Sequence, residues 1–285
     1  IYYKANLKEG RCAMINYLIA FVSGSLGTMI GGTASFVITG LVGLIVIILD
    51  GLGANTHLLT NQVLNLLFMP CVCFNGAVAG LAYAANVKHY DINGADGNRS
   101  LYFTGDPLVL IIGGIFGLLG YGLFSLFTYW NFPIDIGALV VLSLNMLIRV
   151  LFGTNKYIHH PSQPLFSYKQ ANYWCFQIIF AAVLSLITAY FVGITGVASL
   201  GFSLSALSLV FAFSTPDFPA THHTTLIAGY AMVATNSLAI STIFGVLAQL
   251  FFIVFNTYFN TDLDSHVDAP AASIALFSLL IFTLF

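Results

Sequence analysis

The chain has 285 residues, 59% hydrophobic and only 6% charged. A soluble domain carries about 25% charged residues, so that class is excluded. Eight basic residues against ten acidic ones leave a net charge of −2 and no basic patch for nucleic acid.

Long apolar runs recur from Met14 to Phe285 and lack the alternation of barrel strands. They predict an all-α, polytopic helical membrane protein. The chain opens on Ile1 rather than Met, so a removed leader or further residues ahead of it are expected. Residues 1–11 have no apolar signal core of their own. Lys4, Lys8 and Arg11 make residues 1–13 a cytoplasmic lead-in. Spans are then expected at 14–30, where Gly24, Gly27, Gly31 and Gly32 suit close helix packing, and at 33–49. A third apolar stretch, 58–86, is interrupted by Pro70, and residues 88–106 form a polar loop. Spans at 107–130 and 134–151 complete a first membrane half, residues 14–153. A polar connecting loop, 154–169, carries His159 and His160, a pair best read as a solvated turn. The second half, 170–285, holds spans at 174–192, 197–213, 237–259 and 267–285.

Between the last four spans lies the segment that breaks the apolar pattern. Residues 216–236 read P-D-F-P-A-T-H-H-T-T-L-I-A-G-Y-A-M-V-A-T-N. Lipid does not tolerate so many polar groups, so they must face protein, water or a ligand.

The two halves look like copies. Ile115-Phe116-Gly117 recurs as Ile243-Phe244-Gly245, and Pro133-Ile134-Asp135 lies over His266-Val267-Asp268. Upstream, Pro70 aligns with Pro219 and Ala79-Gly80 with Ala228-Gly229. Each copy thus has four to five membrane segments, one of them Pro-broken or re-entrant. Two breaks in corresponding positions are a sequence pointer to a transporter's binding site. If the broken segments dip and return, the halves run parallel and the basic residues fall on one side. If they cross, the halves are inverted, which is the commoner transporter design. The charge pattern leans towards dipping.

The candidate substrate-binding residues are His222, His223, Asp217, Thr221, Thr224, Asn75, Asn86 and Asn236. All lie on or beside the two broken segments and could line a polar cavity. Histidine inside a membrane can bind metal, shuttle a proton or donate to a solute. Cys71 and Cys73 align near the His pair, so His222, His223, Cys71 and Cys73 form a candidate transition-metal set. Asp217 could cap the helix that follows it or bind a cation. Asp135 and Asp268 open their spans, and dipole complementation accounts for them.

No nucleotide-motor loop, H-E-x-x-H or G-x-S-x-G occurs, and Glu9 is the only glutamate, which excludes paired-glutamate enzymes. The expected function is an integral, multi-pass permease or channel of the plasma (inner) membrane. It would move a small polar or ionic solute through a midplane site between the broken helices. Its partners would be the lipid bilayer, the solute and a second copy in a homo-oligomer; a proton, sodium ion or transition metal would be the coupling group. The alternatives are a membrane enzyme using His and Asp or a metal, and a non-transporting subunit that docks a partner.

Overall fold

The computed structural model of this chain describes residues 2–154, 157–161, 170–215 and 217–285, with side chains from Met14 onward. Most of the expected connecting loop, Pro216, and the side chains of Lys4, Lys8 and Arg11 lie outside the described residues. The helices are α1 (Tyr2–Ile30), α2 (Gly32–Gly51), α3 (Pro70–Asn86), α4 (Pro107–Tyr129) and α5 (Ile136–Phe152). They continue as α6 (Ala171–Thr195), α7 (Leu200–Ser208), α8 (His222–Thr235), α9 (Leu238–Asn260) and α10 (Ala269–Leu284). A π-helical stretch, Leu59–Leu67, precedes α3, and a 3-10 stretch, Leu209–Phe213, extends α7. There is no strand among the described residues. Among the described residues five stretches are long and apolar enough to cross a membrane: Gly32–Gly51, Leu59–Asn86, Pro107–Tyr129, Ala171–Thr195 and Leu238–Asn260.

Local chemistry sets the helix ends. Asp106, Asp135 and Asp268 each accept a hydrogen bond from a first-turn backbone N–H, of Leu108, Ala138 and Ala271, all at 2.8 Å. Such caps satisfy donors that the helix itself leaves open. α6 stops at Gly196 and α8 at Asn236, both left-handed with φ 70° and 49°.

α1, α3 and α4 pack on one another, as do α6, α8 and α9; α2 packs on α7, and α5 on α10. Small residues permit the closeness of these contacts. A methyl group on Gly24 would meet the Gly113 carbonyl and the Gly117 backbone, and one on Gly76 would meet Gly24. Thr28 Oγ1 closes that seam by donating to the carbonyls of Gly24 and Gly76, each at 3.0 Å. On α2, Gly40 lies against the backbone of α7 at Ser203, Ala206 and Leu207.

α5 and α10 run antiparallel. The Asp135 N–H donates to Ser278 Oγ at 2.8 Å, while the Asp268 N–H donates to Asn145 Oδ1 at 3.0 Å. Each helix start therefore sits beside the body of the other helix.

Loop contacts gather one end of the bundle. Thr33 N–H donates to Gly97 O at 2.9 Å, Ser100 Oγ to Met29 O at 2.5 Å, and Asn86 Nδ2 to Asp264 O at 2.9 Å. Thr154 Oγ1 donates to Asp264 Oδ2 at 2.6 Å, and His159 N–H to Tyr258 O at 2.7 Å. The C-terminal ends of α1, α3, α5 and α9 thus lie together with the starts of α2, α4 and α10. Buried Arg149, 2% exposed, secures the same end, donating through Nε to Ser265 Oγ at 3.0 Å and through Nη2 to the Ser265 carbonyl.

Candidate functional site

The first broken segment parts at Phe68 and Met69, just before the proline. Met69 is extended (φ −65°, ψ 126°) and Pro70 is the first helical residue of α3. Proline suits that place, because it lacks an N–H that would be open anyway. The break frees two carbonyls. Ser23 Oγ on α1 donates to Leu67 O at 2.5 Å, and Thr39 Oγ1 on α2 to Phe68 O at 2.7 Å. Neither carbonyl is left facing hydrocarbon without a partner, as an apolar medium demands.

The second broken segment has Phe218–Ala220 non-helical and α8 starting at His222. Neither Met69 nor Thr221, the residues at the N-caps of α3 and α8, makes a side-chain capping bond. The Asp caps of α5 and α10 contrast with them.

These four helix starts border one cavity of about 330 Å³. Its wall includes Met69 and Pro70 of the α3 start, His222 of α8, Asp135 of the α5 start and Asp268 of the α10 start. Tyr230 lines it as well, its hydroxyl donating to Asp135 Oδ2 at 2.6 Å. The second oxygen of Asp268 faces His266 Nε2 at 3.5 Å. Among the described residues the lining contains no Lys or Arg.

His222 stands out in that wall. It is 3% exposed, and neither ring nitrogen has a hydrogen-bond partner among the described residues. Its ring stacks on Phe36 (centroids 5.1 Å, planes 29° apart) and meets Phe202 edge-on (5.8 Å, 86°). The aromatics fix the ring by its faces and edge and leave the nitrogens unused. A neutral imidazole then offers one donor and one acceptor.

His223 faces elsewhere, as neighbouring helical residues must. Its Nε2 bonds Gln249 Oε1 at 2.8 Å, and its ring stacks on Phe252 at 4.2 Å. Thr224 Oγ1 donates to the same Gln249 oxygen at 3.0 Å, and Gln249 Nε2 donates to Gln177 Oε1 at 2.9 Å. Thr221 is buried beside the α8 start, and its carbonyl accepts from Thr225 N–H at 3.1 Å. Asn75 is fully buried and bonds within the protein: Nδ2 donates to Cys71 O at 2.9 Å, and Oδ1 accepts from Asn145 Nδ2 at 2.8 Å.

Of the eight expected binding residues only His222 lines the cavity; His223, Thr221, Thr224 and Asn75 are buried outside its lining, and three more lie at segment ends. Asn86 ties the end of α3 to the loop before α10. Asp217 is exposed with φ 60°, and Asn236 is the exposed C-cap of α8. Cys71 and Cys73 are buried in α3. Among the described residues no three His, Cys, Asp or Glu side chains come together as a metal site, so the Cys71, Cys73, His222 and His223 set does not form as a cluster.

Sequence reasoning missed five contributors. Asp135 and Asp268 were legible as caps, and they are caps, but the cavity between them was not. Tyr230, Asn145 and Gln249 were passed over, although the last two are polar interruptions of apolar helices and carried a visible signal.

Residues 6–165 and residues 163–285 each match the family described as "Family of unknown function (DUF7973)". No curated protein and no solved structure matches the chain. The two matched stretches together take in nearly the whole sequence, and the chain belongs to that family.

Proposed function

We propose that this protein is an integral membrane permease or channel with two repeated, inverted halves, and that its solute site is the cavity that the four helix starts border. The duplication is supported by the same family matching twice, over 6–165 and 163–285. It is also supported by packing: the α1–α3–α4 group has a counterpart in α6–α8–α9, while α2 packs on α7 and α5 on α10, each with its own equivalent. A two-fold axis between halves produces contacts of that kind. The paired bonds Asp135–Ser278 and Asp268–Asn145 obey the same relation.

The antiparallel course of α5 and α10 favours halves of opposite sense, hence broken segments that cross. That reverses the leaning of the charge pattern, which had favoured dipping. Leu59–Asn86 is long enough to cross with its break in mid-course. Inverted halves with discontinuous helices place a solute site at their interface.

The observation that carries the reading is His222: a buried imidazole with two unused nitrogens, bordering a cavity built from both halves. Leaving such a group unpaired costs about 1–3 kcal/mol, which a bound solute or water would recover. Reconstitution of the purified chain in liposomes tests it. Polar solutes should equilibrate across the bilayer, and His222→Ala should slow them at least about tenfold, one lost charge-free hydrogen-bond pair being worth that much. Flux that ignores His222→Ala would remove this site from the pathway.

A further inference from the structure

The wall of the cavity carries charges that cancel, and this points to the class of solute. Asp135 and Asp268 supply two carboxylates with no Lys or Arg facing them among the described lining residues. Both stand at helix starts. Two more starts, of α3 and α8, reach the wall without a side-chain cap. A helix N-terminus carries roughly half a positive charge, so four of them offset two carboxylates. The offset is also divided in space. Acceptors sit at the α5 and α10 starts, while open N–H groups sit chiefly at the α8 start beside His222, since at α3 Pro70 has no N–H and those of Val72 and Cys73 bond Met69 O. Neither a cation nor an anion finds a net counter-charge there, but a dipole finds both its ends matched.

We infer, resting on the proposed solute pathway, that the cavity binds a small net-uncharged solute bearing N–H donors and an oxygen acceptor: an amide or a zwitterionic amino acid. The N–H groups would point at one carboxylate, Asp135 or Asp268, which stand about 15 Å apart along the antiparallel helices, and the oxygen at His222 and the uncapped start of α8. His222 is the second observation behind this placement, since its nitrogens are buried and, among the described residues, unpartnered whatever the helix ends do. The Phe36 and Phe202 rings, which line the cavity, leave room for an apolar body between the polar ends. At about 330 Å³ the space lies at the small end of ligand pockets, which suits a compact solute.

The test uses a three-carbon series: propionamide, alanine, propylammonium and propionate. Binding is measured on the detergent-purified full chain, and flux on the same chain in liposomes. Propionamide or alanine should bind at least ten times more tightly than propylammonium and propionate, and the preferred member of that pair identifies amide or zwitterion. His222→Gln should weaken that binding severalfold, and Tyr230→Phe, which frees Asp135 from its internal donor, should alter it without unfolding the protein; both variants are checked for monodispersity. Tightest binding by either ion, equal binding of all four, or binding of none would overturn the inference. Flux of ions alone would sink the solute class and leave the pathway standing. Binding of the amide or amino acid without flux of any solute would do the reverse.

Discussion

The Asp268 backbone N–H donates to Asn145 Oδ1 at 3.0 Å, and the same Asn145 donates through Nδ2 to Asn75 Oδ1 at 2.8 Å. One fully buried amide thus links α3, α5 and the start of α10. It holds in place the helix whose capping carboxylate borders the cavity.

Replacing Asn145 with Ala should therefore cost more than one hydrogen bond. It leaves the Asp268 N–H and Asn75 Oδ1 without partners in a dry interior, at about 1–3 kcal/mol for each group. The expected result is a fall of several degrees in the melting temperature of the detergent-purified protein. Ser143→Ala is the control, because exposed Ser143 bonds only its own helix at Leu139 O. Equal melting of the two variants would show that Asn145 does not join these helices.

Gln249 plays a comparable part among α6, α8 and α9. Its Oε1 serves both His223 and Thr224, and its Nε2 reaches Gln177. Gln249→Leu keeps much of the volume but strands two buried polar groups on α8. A loss of about 2–4 kcal/mol is expected, measured as a shift in thermal unfolding. Thr242→Val, a half-buried site whose hydroxyl bonds within α9, should leave stability within about 0.5 kcal/mol of the parent.

Close packing gives a third expectation. A methyl group on Gly120 would run into the Cys71 carbonyl at the start of α3, whereas one on Gly122 has only the edge of Tyr17 at 3.9 Å. Gly120→Ala should destabilise by about 1–3 kcal/mol through overpacking, and it should also displace the α3 start that borders the cavity. Gly122→Ala should be neutral or slightly stabilising, since Ala is the better helix former. If both variants melt alike, α3 and α4 are not in backbone contact there.

Much of this architecture was open to sequence reading because membrane helices announce themselves by length and by what interrupts them. The spans at 33–49, 107–130 and 237–259 reappear as α2, α4 and α9 with ends shifted by a few residues. Asp135 and Asp268 were placed as caps from their position alone, and both accept first-turn N–H bonds. The facing of polar side chains was not legible. In α3 and α8 most positions are buried, so no apolar stripe distinguishes a cavity side from a packing side. His222 and His223 look alike in sequence, yet one borders the cavity and the other bonds Gln249. Asp217 and Asn236 read as site residues because they belong to the polar segment. Their left-handed backbones serve chain reversal at its two ends instead.

The loop between α3 and α4 offers a prediction in pH. Lys88 Nζ lies 3.0 Å from Asp106 Oδ2, joining the end of α3 to the start of α4. Their hydrogen bond holds the Lys88 amine above its ordinary range and the Asp106 carboxyl below its own. For Asp106 the contribution is complete above the unfolded value, about 3.9, and is lost as pH falls through the lower folded value. For Lys88 it is complete below the unfolded value, about 10.4, and is lost as pH rises through the higher folded one. The clasp should therefore act at full strength across neutral pH and fail at both extremes. Both groups touch solvent, so the effect is local and screened by salt rather than a large share of global stability. Hydrogen exchange of the backbone over 87–106 is the measurement. At neutral pH, Lys88→Met should speed it a few fold, and high salt should bring the parent protein close to the variant. At a pH below the folded Asp106 value, parent and variant should exchange alike once intrinsic rates are divided out. A variant as well protected as the parent at neutral pH and low salt would show that the buried Leu81, Ala84, Leu101 and Val109 hold the loop without the ion pair.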